Sequence, residues 1–284
     1  LGDTYGMATT LLHLGTIASY AGDDVGDAQC TAESLALFQR VGHLYGMAHA
    51  FEQVCNQASF KELDFAEQLS QLIQAECTQR QSQRLAQRLR LARLSQQASL
   101  EDLDTRLPRG IHKATLASLR QLDWIGEHLN VLIVGPTGIG KSFIACALAH
   151  QACRADFSVR YLRMPRLVEE LTRYGAQHKK SALFKSLAKV DLLALDDFGL
   201  APLADETKRD LLEILDDRYD KKSTLVTSQL PVEKWYQYLA EPTLADAILD
   251  RLVHNSHRLS LKGESMRAKR GNHPTNVDNT MTEN

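Results

Sequence analysis

Short apolar runs alternate with longer amphipathic stretches through the second half of this chain, and the two periods predict different elements. Val131 to Val134 is unbroken apolar, the mark of a strand covered on both faces. Ser158 to Arg163, Val190 to Leu195, Thr224 to Thr227 and His257 to Leu261 predict further strands. Between them lie segments of helical period: Phe143 to Cys153, Pro165 to about Tyr174, Asp205 to Tyr219, a short helix opened by Pro231, and Ala245 to Leu252. This alternation predicts an α/β domain over 105–268, with a parallel sheet and helices on both faces.

The first hundred residues carry helical spacing alone. Residues 1–42 place Ala8, Leu11, Leu12 and Leu14, then Ala32, Leu35, Leu37 and Phe38, at helix intervals. Gly2, Tyr5, Gly6, Met7 and Ala8 recur forty residues on as Gly42, Tyr45, Gly46, Met47 and Ala48. That echo resembles the longer helical hairpins of the tetratricopeptide class. A plain pair of amphipathic helices fits equally well, and a single repeat could not cover both its faces. Residues 43–104 form a second helical region, with Phe65, Leu69, Leu72 and Ile73 in a stripe beside Glu62, Asp64, Glu67 and Glu76. Residues 269–284 are polar and aperiodic, so a disordered tail is expected there.

Charge sharpens the second region. Arg80, Arg84, Arg88, Arg90 and Arg93 stand in a stretch without a single acid. Arg80, Arg84 and Arg88 are one turn apart on one face, a pitch that can follow a phosphate backbone. An ordinary solvated face is the alternative, but such faces interleave Glu with Arg. The whole chain is nearly neutral, with 33 basic and 35 acidic residues in 284, so nucleic-acid binding must come from a local patch. Five cysteines, an odd number with no CxxC pair, read as buried free thiols in a reducing, cytoplasmic compartment. No apolar run approaches the roughly 20 residues of a membrane span, so no membrane partner is expected, and no secretory leader is visible. The chain begins at Leu1 and not at Met, so an upstream segment is expected.

The strongest chemistry follows the first strand. Gly135-Pro136-Thr137-Gly138-Ile139-Gly140-Lys141-Ser142 has the spacing of a phosphate-binding loop, with Phe143 starting the helix behind it. Glycines let the backbone curl so that successive N–H groups point at β- and γ-phosphates. Lys141 adds a point charge, and Ser142 offers a hydroxyl to Mg²⁺. The helix N-terminus favours the anion further. Asp196 and Asp197 end the apolar run from Leu192, where parallel sheets gather their ligand sites. Asp196 is expected to hold Mg²⁺ and Asp197 to polarise the attacking water. Thr227, Ser228 and Gln229 close the next strand, and Ser228 is the sensor candidate at the γ-phosphate. Arg251 sits near the end of its helix, either as a finger into a neighbouring subunit's nucleotide or as an ion-pair partner of Asp250 or Asp246. Arg267 is a weaker phosphate-sensing candidate.

Taken together, GPTGIGKSFIACALAHQAC, SVRYLRMPRLVEEL, LLALDDFGLAPL, STLVTSQLPVEKW and PTLADAILDRLVHNSHRLSLKGESMR resemble the IstB-type helper ATPases of bacterial insertion sequences, relatives of the DnaC helicase loaders in the AAA+ class. LYGMAHAFEQ through ASLEDLDTRLPRGI resembles the helical region that precedes the ATPase core, so the likeness runs from about Leu44 to about Arg270. It implies a P-loop AAA+ ATPase using ATP and Mg²⁺, which binds double-stranded DNA, self-associates into an ATP-dependent oligomer and recruits or activates a transposase. By position, Lys141 and Ser142 would serve the phosphates and metal, Asp196 and Asp197 metal and water, and Arg251 the trans-acting finger. Many AAA+ proteins carry Glu where this chain has Asp197, a departure that bears on the rate of hydrolysis.

Residues 1–42 lie outside that likeness, and fusion to a host repeat-protein gene would explain them. Two other functions compete. The same core could load a replicative helicase, or the chain could be a repeat-type interaction module with a vestigial ATPase. Intact Lys141, Asp196 and Asp197 weigh against the second.

Overall fold

A computed structural model describes residues 44–54, 57–103, 110, 113–263 and 265. The repeat-like first copy, Arg267 and the polar tail lie outside the described residues. The chain divides into two compact units, Leu1–Gln87 and Arg88–Asn284.

In the first unit, helices α1 (Tyr45–Val54) and α2 (Ala58–Lys61) precede α3, which runs from Phe65 to Ala92 and so continues past the unit boundary. Asp64 and Glu67 start α3 as a reciprocal capping box: the Glu67 N–H donates to Asp64 Oδ1 (2.8 Å), and the Asp64 N–H to Glu67 Oε2 (3.2 Å). Met47, Ala48, Phe51, Phe60 and Leu72 form a small core. Glu76 on α3 accepts the N–H groups of Gly46 (2.8 Å) and Met47 (3.1 Å), satisfying two donors at the start of α1. A Cβ at Gly46 would lie 2.8 Å from the Glu76 backbone, so the glycine of the YGMA segment is explained by this close approach.

The second unit is built on a five-stranded sheet of order β2-β3-β4-β1-β5, every pairing parallel. Its strands are β1 (Asn130–Val134), β2 (Val159–Arg163), β3 (Leu192–Phe198), β4 (Ser223–Ser228) and β5 (Ser256–Ser260). Helices α4 (Lys113–Gln121) and α5 (Asp123–Gly126) lead in, and α6 (Lys141–Arg154) connects β1 to β2. Then follow α7 (Met164–Ala176), α8 (Lys180–Lys189), α9 (Asp205–Arg218), α10 (Trp235–Leu239) and α11 (Pro242–Val253). The crossover through α6 runs toward one edge of the sheet while the later crossovers run toward the other. Right-handed connection therefore puts α6 on one face and α7 to α11 on the opposite one.

Side-chain alternation agrees with that split. Leu132, Val134, Leu193, Leu195 and Val226 join one core with Leu167, Leu211, Ile214, Trp235 and Ile248. Val131, Ile133 and Ala194 point the other way and are fully buried, as are Ile144, Ala145 and Leu148 of α6. The short helix opened by Pro231 begins as a single 3-10 turn (Val232–Lys234) that runs into α10. The other expected elements recur with ends shifted by a residue or two, apart from three differences. Helix α8 has no counterpart in the expectation from sequence. Strand β3 starts at Leu192, later than Val190, and runs on to Phe198 through a register irregularity between Leu195 and Phe198. Helix α11 starts at Pro242, three residues before Ala245, where the Glu241 side chain accepts the Leu244 N–H as an N-cap.

Candidate nucleotide-binding site

The loop Gly135 to Gly140 leaves the C-terminal end of β1 and enters α6 with Gly140 as N-cap at φ +100°, a conformation that only glycine adopts freely. Gly135 is required for a different reason: a Cβ there would stand 2.6 Å from the Leu261 carbonyl oxygen. Ile139 is buried beneath the loop, while Pro136 and Thr137 form its exposed rim and Phe143 is half-buried. Lys141, only 6% exposed, donates from Nζ to the carbonyls of Gly135 and Pro136, both at 2.8 Å. The ammonium is thus centred under the loop, and the first turn of α6 carries no acid to oppose an anion.

The end of β3 supplies the acids. Asp196 is 3% exposed, and its carboxylate collects three hydroxyls. Ser142 Oγ (3.0 Å) and Thr227 Oγ1 donate to Oδ1, and the Tyr161 phenol donates to Oδ2. Burial and the charge of Asp196 raise the Tyr161 phenol, which keeps its proton and serves as donor. Asp197 follows at φ +63°, in the left-handed region that Asp tolerates better than most residues. Its carboxylate is gripped by Arg163 through Nε (2.9 Å) and Nη2 (2.8 Å), and that pairing raises the guanidinium of Arg163.

The Thr227-Ser228-Gln229 triplet divides its work. Thr227 Oγ1 serves Asp196 and also accepts the Asp197 N–H at 3.2 Å. Gln229 Oε1 accepts from Thr137 Oγ1 (2.7 Å), joining the triplet to the loop rim. Ser228 is fully buried, donating to the Phe198 carbonyl (2.6 Å) and accepting the Leu230 N–H (3.0 Å). Its hydroxyl braces the turn after β3, unlike the other two members.

Arg251 lies at the opposite end of the sheet. Asn130, the first residue of β1, donates from its side chain to the Arg251 carbonyl at 2.8 Å. One strand of five residues, about 16 Å, therefore separates that point from the loop. The guanidinium pairs with Asp216 (2.7 Å) and Asp250 (3.2 Å) and lies over the Tyr219 ring. The local ion-pair alternative is present in Asp250, and Asp216 adds a partner absent from that alternative. Among the arginines of α3, Arg80 pairs with Glu76, and Arg88 pairs with Asp156 (2.6 Å). Arg84, Arg90 and Arg93 are exposed and make no ion pair among the described residues. Of the described cysteines, Cys146 and Cys153 are buried free thiols, whereas Cys77 is exposed.

Two members of the cluster escaped the sequence, Tyr161 and Arg163. Both lie on β2, and the only signal was the alternation of polar with apolar residues in VRYLR. An ordinary surface strand has the same alternation.

Comparison with known families settles the class. The model of the IstB-like ATP binding protein family matches residues 39–273. The chain belongs to this family. As an IstB-like protein it is 49% identical over 224 residues to the insertion sequence ATP-binding protein y4pL of Sinorhizobium fredii, covering 79% of this chain and 91% of that one. It is 32% identical over 223 residues to the insertion sequence IS21 ATP-binding protein of Pseudomonas aeruginosa, covering 78% and 84%. Among solved structures, AMPPCP-bound DnaA from Aquifex aeolicus superposes with a TM-score of 0.51 at 16% identity, covering 61% of this chain and 52% of that one. That likeness concerns the AAA+ fold alone. No helix among the described residues of this IstB-like chain is long and apolar enough to cross a membrane.

Proposed function

We propose that the chain is an ATP-hydrolysing, DNA-binding helper of a transposase, and that nucleotide controls its self-association. The observation that carries hydrolysis is the meeting of Ser142 Oγ and Asp196 Oδ1 at 3.0 Å, at the start of the helix whose first residue, Lys141, sits under the phosphate-loop carbonyls. A hydroxyl facing a carboxylate is a donor set suited to Mg²⁺, which takes few protein ligands together with phosphate oxygens and water. Bound there, Mg²⁺ would neutralise charge on the β- and γ-phosphates.

Lys141 and the α6 N-terminus bind the same oxygens, and Gly135 to Phe143 wrap them. Asp197 orients the water whose oxygen bonds to the γ-phosphorus as the bond to the bridging oxygen of ADP breaks. We assign the sensor role to Thr227 and Gln229 ahead of Ser228, because their side chains already touch Asp196 and the loop. Arg251 is too far along the strand to reach its own nucleotide, which favours action on a neighbouring subunit. Arg84, Arg90 and Arg93 are the best placed of the arginines to meet duplex phosphates.

A transposase is the preferred client because the relatives are named for insertion sequences. The test is phosphate release from ATP with and without duplex DNA, with light scattering for assembly and transposase or helicase as bait. Turnover and ATP-driven assembly are expected. A chain that binds ATP without turnover in any mixture would return the reading to an interaction module with a vestigial site, and capture of the helicase alone would make it a loader.

A further inference from the structure

Asp196 receives different partners on its two oxygens. Oδ1 takes Ser142 and Thr227, which belong to the phosphate loop helix and the sensor strand. Oδ2 takes Tyr161, whose hydroxyl leads elsewhere. Tyr161 is paired in register with Ala194, two residues before Asp196, so its ring stands on the α6 face of the sheet and is 4% exposed. The Ser95 hydroxyl donates to the Tyr161 oxygen at 3.0 Å, and Ser95 Oγ lies 3.3 Å from the Cys146 sulfur. Each hydroxyl has one proton to give. With Ser95 donating to Tyr161 and Tyr161 donating to Asp196, the Cys146 thiol is left to donate to Ser95. The chain of donors runs one way and ends on a carboxylate, an arrangement in which each bond polarises the next.

Ser142 and Cys146 are four residues apart on α6, one turn along the same side. The side chains Ser142, Asp196, Tyr161, Ser95 and Cys146 therefore close a ring through α6, β3 and β2. Ser95 brings into it the segment that leaves α3. That helix ends at the buried Ala92, and Arg93 turns the backbone at φ +54°. Arg88 fastens its last turn to the far end of α6 through Asp156 and the Cys153 carbonyl (3.4 Å). Ser95 itself is exposed and shares the lining of an open surface pocket of about 380 Å³ with Arg93. A phosphate engaged by Arg93 would sit beside the outer end of the ring.

We propose that Tyr161 and Ser95 are positioning residues that hold the Asp196 carboxylate in register for Mg²⁺, and that they tie this register to the position of the α3 exit. The inference rests on the nucleotide reading given above and adds to it a route by which a ligand of Arg93, at the α3 exit, reaches the metal-side acid.

The test uses the full chain, a fluorescent ATP analogue and a Mg²⁺ titration, with turnover measured in parallel. Tyr161→Phe keeps the ring and removes the donor. It is expected to raise the Mg²⁺ concentration at half-saturation about 10-fold, the usual worth of a partner behind a metal ligand. Affinity for the analogue in EDTA should stay at the wild-type value, a split that a general packing defect would not produce. Ser95→Ala should raise the midpoint about threefold, in the range of one neutral hydrogen bond, and Ser95→Thr should restore it. An unchanged midpoint in Tyr161→Phe overturns the proposal. Should that variant fail to fold, the exposed Ser95→Ala carries the decision, and an unchanged midpoint there overturns it equally. A wild-type chain that binds the analogue with Mg²⁺ but releases no phosphate would refute hydrolysis, while the Mg²⁺ midpoints would still judge the relay.

Discussion

The two ends of the sheet both bury polar side chains, but they satisfy them in different ways. At the N-terminal end, Arg218 is 1% exposed and donates to the carbonyls of Leu187 (2.6 Å), Val190 (2.9 Å), Asp191 (3.4 Å) and Ser223, and to Thr224 Oγ1 (3.2 Å). Asn130 beside it bonds the Arg251 and Leu252 carbonyls and the Thr224 N–H. Apart from the Thr224 hydroxyl these partners are backbone, and no ligand can take their place without unfolding something. At the C-terminal end the partners are largely other side chains: hydroxyls on Asp196, Arg163 on Asp197, Gln229 on Thr137. Such bonds can be exchanged for bonds to a ligand at small cost. A polar cluster wired to backbone is a clamp, whereas one wired to side chains is a site.

Substitutions can break this contrast. The largest effect on folding is expected from Arg218→Ala, which strands several buried carbonyls. A loss of about 3–5 kcal/mol in urea unfolding is predicted, and a loss below 1 kcal/mol would mean that the clamp is dispensable. Lys141→Ala should weaken ATP binding about 100-fold, as expected for charge-assisted bonds to phosphate, and abolish ATP-dependent assembly. Unchanged binding by calorimetry would remove Lys141 from the site. Asp197→Asn should bind ATP normally while turnover falls about 100-fold, the lower range for losing a positioned base; wild-type phosphate release would reassign the base.

Arg84→Ala combined with Arg90→Ala should reduce the slope of log affinity for duplex DNA against log salt by about 2, one per phosphate contact. An unaltered slope would leave these arginines as surface. The smallest effect on folding is expected at Arg251, whose ion pairs are side chain to side chain and part-exposed. Arg251→Ala should change stability by less than about 1 kcal/mol, and a larger loss would place it with Arg218 in the clamp.

Much of the C-terminal end was legible because its residues are neighbours in sequence. The loop from Gly135 to Ser142 and the pair Asp196-Asp197 are local motifs on either side of apolar strands. What stayed hidden depends on which strands pair. Tyr161 reaches Asp196 only because β2 lies beside β3, and Arg251 meets Asp216 only because α9 and α11 pack on the same face. Ser228 and Gln229 are adjacent in the sequence, yet Ser228 alone is fully buried against the turn after β3, while Gln229 bonds the loop rim. Helix α8 went unread although Leu183 and Leu187 lie four apart, since KSALFKSLAK presents a short apolar stripe among lysines.

The left-handed backbone at Asp197 has a corollary. A branched or bulky residue is strained in that conformation, whereas Asp and Asn are accepted. Lengthening the acid to Glu would keep the charge but give up that conformational tolerance and move the carboxylate off Arg163. The reach of the Asp197 carboxylate and the shape of the turn are therefore set together. A change of acid at this position is felt at once in the backbone at the end of the third strand.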